Sequence, residues 1–127
     1  MIDYAAYRER VSKAWGPATA HPGYKAAGGS PVGQCGVTSA WLRDQLEIDH
    51  GIRAELRCGH VYTPHGSFWN HCWLDVDGVV VDLPADQFGL PPVVHGAPEG
   101  VAYVGVPCPP PINRLQVLQA ALEGDGR

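Results

Sequence analysis

The dipeptide Asp77-Gly78 stands between two strand-like runs, SFWNHCWLDV and VVVDL. Both central residues of a two-residue hairpin turn take positive φ, which Asp-Gly accommodates, so the spacing predicts an antiparallel hairpin. The turn sets the register, placing Val76 opposite Val79, Leu74 opposite Val81 and Trp73 opposite Asp82. Alternation then sorts the side chains onto two faces. Cys72, Leu74, Val76, Val79, Val81 and Leu83 form a wholly apolar face fit for a core, while His71, Trp73, Asp75, Val80 and Asp82 share the other. His71 and Asp82 become diagonal neighbours, with Cβ atoms at most about 7–8 Å apart. An imidazole and a carboxylate close such a gap, so the hairpin alone predicts a base and the acid that orients it.

The remaining elements follow from periodicity and breakers. Tyr4, Tyr7, Val11 and Trp15 recur at near-helical spacing behind Asp3, a usable N-cap, and Gly16-Pro17 ends the run. Residues 16–34 are rich in Gly, Pro, Ala and Ser and read as a loop long enough to suggest a functional one. From Cys35 a helix is predicted up to Gly51, a C-terminal cap, with Val37, Trp41, Leu42 and Leu46 on its apolar side. Ile52 to Cys58 alternates as a half-buried strand, interrupted at Gly59 by a bulge. VAYVGV reads as a further strand, and Pro107 to Pro111 form a stiff spacer before a helix from Ile112 to Leu122. The fold class is α+β: a central helix carrying Cys35, packed on an antiparallel sheet or partial barrel of about four to six strands.

Composition sets the bounds. With 127 residues, 45% hydrophobic and 17% charged, the chain reads as one domain over residues 1–127. That length buries about two-thirds of its unfolded surface without staples. The four cysteines are therefore not needed as scaffolding. Nine basic against 13 acidic residues give a net charge of −4 with no basic run, which argues against nucleic acid as a partner. The first 15 residues carry charges and no apolar segment, so no signal peptide is expected, and no stretch suits a bilayer. The expected compartment is the cytoplasm, where thiols stay reduced, or the outside by a route without a signal peptide.

Cys35 opens its helix, where the partial positive charge of the N-terminus and a nearby imidazolium favour a thiolate. His71 suits the ion pair with Cys35 and the later roles of general acid and general base, with Asp82 fixing its tautomer. The backbone N–H of Cys35, helped by the amide of Gln34 or the indole of Trp15, is the candidate oxyanion donor. Trp73, on the site face, is a candidate floor for the substrate groove or a cover for apolar surface. Cys58 and Cys72 read as inert core thiols, and His21, His50 and His95 as solvated.

These residues carry a resemblance. GQCGVTSA resembles the nucleophile motif of the transglutaminase-like superfamily, in which Gly-Gln-Cys opens a helix. FWNHCWLDV is similar to that family's strand with a histidine two residues before a tryptophan, and VVVDLPADQ to the strand that delivers its aspartate. The resemblance spans about residues 33–88. It implies a papain-related fold, the catalytic residues Cys35, His71 and Asp82, and a thioester acyl-enzyme formed from a peptide, protein or small amide. Gly36 stands where the large cross-linking enzymes commonly carry tryptophan, and no acidic calcium loop is present. The resemblance therefore implies a small peptidase, amidase or deamidase that needs no metal or other cofactor, rather than a cross-linking enzyme.

Two other classes use the same residues. A zinc module could draw on Cys58, His60, His65 and Cys72 or His71, although Cys58-Gly-His60 lacks the usual ligand spacing. A binding protein could keep the fold without turnover.

Overall fold

The computed structural model of the protein describes residues 2–23 and 28–125. The chain runs α1 (Tyr4–Ser12), α2 (Cys35–His50), β1 (Glu55–Thr63), β2 (Gly66–Val76), β3 (Val79–Asp82), β4 (Val94–His95), β5 (Ala102–Pro107) and α3 (Ile112–Asp125). A short 3-10 turn, Ala85–Phe88, follows β3. The five strands form one antiparallel sheet in the order β4-β3-β2-β1-β5. β4 and β5 are free edges, so the sheet is open and not the partial barrel that the sequence also allowed.

Local chemistry explains the element ends. The Asp3 carboxylate accepts from the Ala6 N–H at 3.0 Å and caps α1. Gly51, at φ 66°, closes α2 in the left-handed conformation, its N–H reaching the carbonyls of Glu47 and Leu46. The hairpin turn has Asp77 at φ 52° and Gly78 at φ 83°, with Val76 opposite Val79 and Leu74 opposite Val81. The deduced register therefore holds. β1 begins at Glu55 and runs on through Gly59 to Thr63. The irregularity beside Gly59 places its extra residue in β2, since Gly59 pairs with His71 and Val61 with Phe68. Asn70, at φ 56°, takes up that bulge immediately before His71.

The main core lies between the sheet and the helices. Val37, Ala40, Trp41, Leu42 and Leu46 of α2 pack with Leu56, Leu74, Val81 and Leu83, and α1 and α3 add Val11, Leu115 and Leu118. Of the predicted apolar face, Cys72 and Val76 are half-buried, and Val79 is exposed where it flanks the turn. The opposite face is also covered, since His71, Trp73 and Asp82 are buried beside Val61.

Trp73 fits because two glycines face each other across β1 and β5. Gly59 pairs with Gly105, and a Cβ on Gly105 would stand 2.5 Å from the Cys58 carbonyl oxygen and 2.7 Å from the Trp73 ring. A Cβ on Gly59 would strike the Val104 carbonyl. The predicted loop 16–34 has no regular element among its described residues, while residues 24–27 lie outside them. No helix among the described residues is long and apolar enough to cross a membrane.

Gly105→Ala is expected to destabilise the fold by about 1–3 kcal/mol, because neither backbone nor indole can yield cheaply. Gly16→Ala, with open space around the added methyl, is expected to change stability by less than about 1 kcal/mol. Urea midpoints followed by tryptophan fluorescence compare the two.

Candidate active site

His71 and Asp82 project from the neighbouring strands β2 and β3 and are both 0% exposed. The Nε2 of His71 lies 2.6 Å from Oδ2 of Asp82. The hydroxyl of Tyr103, on β5, donates to the same oxygen at 2.8 Å. Phe88 meets the His71 ring edge-on, with centroids 4.5 Å apart, and stacks on Phe68. Nδ1 of His71, also buried, makes no conventional hydrogen bond. Cys35 is the group that bears on the ring besides Asp82.

Cys35 is half-buried at the first position of α2, its sulfur 3.9 Å from the Asn70 carbonyl oxygen. No side chain caps this helix start, which leaves the first-turn N–H groups available to an anion. The Cys35 thiol is held well below the ordinary thiol range, first by its interaction with the neighbouring Cys72 thiol, against burial, and then by the influence and charge of His71. In His71, burial favours the neutral ring, but the charge and hydrogen bond of Asp82, followed by those of Cys35, push the pKa up to about 9. Both shifts favour a thiolate beside an imidazolium. Cys72 takes the opposite shift, raised by its hydrogen bond to Cys35, by burial and by the Cys35 charge, with Arg114 pulling the other way.

The remaining sequence candidates sit nearby but are engaged otherwise. Gln34 is fully buried; its Nε2 donates to the Gly16 carbonyl at 3.0 Å and its Oε1 accepts from Thr19 at 2.8 Å. It pins the loop before Cys35, whereas an oxyanion donor was expected. The Trp15 indole N–H donates to Thr38 at 2.9 Å inside the fold and is likewise committed. Trp73, 1% exposed, stands edge-on to Tyr103 beneath the sheet surface, so it floors no open groove.

The cysteines depart most from the sequence reading. Cys58 and Cys108 form a disulfide, with Cα atoms 5.9 Å apart, in place of the reduced thiols expected. The β1–β5 ladder sets Cys58 against Val106, and the Cys108 N–H donates to the Leu56 carbonyl at 3.1 Å, which brings together residues 50 apart in sequence. Cys72 does not sit alone among apolar side chains: it is half-buried, and its sulfur lies 2.9 Å from that of Cys58. The zinc set weighed from sequence does not gather. His60 packs on Tyr62 and Trp69, and His65 lies in the β1–β2 turn. Among the described residues, the sulfurs of Cys58, Cys72 and Cys108 are the atoms close enough to share an ion, all within 4.8 Å of one another.

Arg8, Tyr103, Phe88 and Cys72 are the positioning residues that sequence reasoning missed. Arg8 donates to the Leu83 and Pro92 carbonyls and pairs with Asp86 at 2.8 Å, anchoring to α1 the segment that carries Phe88. The alternation of VAYVGV was the available signal for Tyr103; Arg8 left none.

No family model matches the chain, and no curated protein or solved structure is significantly similar to it.

The ion pair has a defined pH window. A histidine pKa raised above 6.5 in the folded state contributes stability below that value, lost as pH rises through about 9. A depressed thiol pKa contributes stability that is lost as pH falls through the folded value. Iodoacetamide is expected to modify Cys35 before Cys72, with little loss of rate from about pH 8 to pH 6, where an ordinary thiol slows by about 100-fold. Peptide mapping of timed samples checks both points.

Proposed function

We propose that this protein is a thiol-dependent amide hydrolase or acyl transferase, a small member of the transglutaminase-like class, working through Cys35, His71 and Asp82. The observation that carries the reading is the buried imidazole held at one nitrogen by Asp82, 2.6 Å away, with its other nitrogen left without a partner and Cys35, at a helix start, acting on the ring. That is the arrangement nucleophilic thiol catalysis needs.

The Cys35 thiolate attacks the amide carbonyl carbon, and the oxyanion falls near the Cys35 backbone N–H at the uncapped start of α2. Imidazolium at His71 donates its Nδ1 proton to the departing amine, leaving a thioester on Cys35. Neutral His71 then takes a proton from water or an acceptor amine, which attacks the thioester and releases Cys35. Asp82 keeps its proton-accepting role towards Nε2 throughout, and Tyr103 holds the carboxylate in place.

The reading places the substrate beside the first turn. Pro111 and Arg114 border Gly36, the residue after the nucleophile. They also line a cleft of about 360 Å³ together with His21, Pro22, Ile112 and Asn113. A larger cleft, about 710 Å³, lies elsewhere, along Arg43, Leu56, Asp77 and Cys108. Size does not mark the chemistry here.

The test is capture of an acyl-enzyme by intact mass from a library of peptide and small-amide substrates. A Cys35-linked acyl adduct is expected, absent in Cys35→Ala. Asp82→Asn should keep the fold while lowering turnover by about 10²–10⁴-fold, because an amide no longer holds the productive tautomer. Turnover should fall at alkaline pH as His71 loses its proton near about 9 and should persist in EDTA. No adduct from any substrate class, or full turnover by Asp82→Asn, would overturn the reading.

A further inference from the structure

We infer that Cys72 is an exchange thiol, able to take Cys58 from its disulfide with Cys108 and thereby switch off Cys35. The inference rests on the proposed role of Cys35 for its consequence, but not for the exchange itself.

Three independent features converge. Cys58 and Cys72 are direct partners in the β1–β2 ladder. Opposed residues of an antiparallel pair have Cα atoms about 4.5–5.5 Å apart, within the range a disulfide spans. Their sulfurs already stand 2.9 Å apart, so little movement separates the two pairings. Cys72 also faces the start of α2, where a Cβ on Gly36 would lie 3.7 Å from its sulfur and 3.8 Å from an Arg114 guanidinium nitrogen. Nη1 of that guanidinium is buried without a hydrogen-bond partner. A positive charge thus stands beside the sulfur that must become the attacking thiolate.

The exchange balances within the chain. The Cys72 thiol gives up its proton to the neighbouring Cys35 thiolate, the group that acts on it most strongly. The Cys72 sulfur then bonds to the Cys58 sulfur as the Cys58–Cys108 bond breaks, and the electron pair leaves on Cys108 as a thiolate. One disulfide is consumed and one formed, so no oxidant or reductant takes part. Cys35 ends as a neutral thiol and has lost the donor that most favoured its ionised form. Cys108 borders the 710 Å³ cleft, where a thiol reagent can reach it.

The full-length protein is held in mildly alkaline buffer, pulsed with iodoacetamide, then quenched in acid with N-ethylmaleimide and denaturant. Intact isomers are separated by reversed-phase chromatography, and each is digested without reduction. Two bridged forms are expected, Cys58–Cys108 and Cys58–Cys72, the second with alkylated Cys108 and at least about tenfold less iodoacetamide on Cys35. Cys72→Ser should give the first bridge alone. A wild-type map with only Cys58–Cys108, equal labelling of Cys35 in both isomers, or purified protein holding zinc on unbridged cysteines would overturn the inference. Both bridges found in a protein that forms no acyl-enzyme would end the hydrolase reading and leave the exchange standing.

Discussion

The contact between His71 and Asp82 is the constraint around which the rest of the molecule is arranged. Taking an imidazolium and a carboxylate out of water costs several kcal/mol per ion, recovered only when geometry and extra hydrogen bonds are good. Here the ring nitrogen and the carboxylate oxygen approach to 2.6 Å, and the Tyr103 hydroxyl adds a second donor. Trp73, Tyr103 and Phe88 surround the pair with aromatic surface. The glycine pair Gly59 and Gly105 leaves room for the indole that shields the site, and Arg8 ties down the segment that brings Phe88 over the ring. All but Trp73 are distant from His71 in sequence, yet each acts on the dielectric around one ion pair.

Cys35 draws on this arrangement from the other side of the molecule's main division. Its helix packs on the apolar face of the sheet, where Ser39 reaches the Cys72 carbonyl at 3.4 Å. Two successive residues of β2, His71 and Cys72, then both act on one sulfur to favour its ionised form. The Asn70 bulge directly before them adds local twist to the strand at this point. Ionisation of Cys35 is thus shared between a buried histidine–aspartate pair and a group of sulfurs, which couples the proposed chemistry to the pairing of the other cysteines.

The legible part of the protein was its local part. Asp77-Gly78 determined a two-residue turn, and the turn determined which residues of two strands face each other, because side chains alternate and the register of a tight hairpin has no slack. His71 and Asp82 could be paired from that alone. The α2 limits were equally readable, since a left-handed glycine at position 51 and an apolar stripe are properties of contiguous residues.

What only the tertiary structure decided concerns partners separated by long stretches of chain. Cys58 alternates onto the apolar side of its strand in either reading, but its bond to Cys108 depends on β5 pairing with β1, a choice no local pattern encodes. Gln34 and Trp15 looked available because their polar atoms are free in an extended chain; folding commits them to Gly16, Thr19 and Thr38. Buried polar groups must find partners, and which partners they find is settled by how the elements pack. The sequence by itself determined the turn, the α2 helix and the faces of the hairpin, because these depend on neighbouring dihedrals and on periodicity. The tertiary structure decided which thiol is bridged, which lies beside Cys35 and how dry the ion pair is, because those depend on distances between elements that meet only once the sheet is assembled.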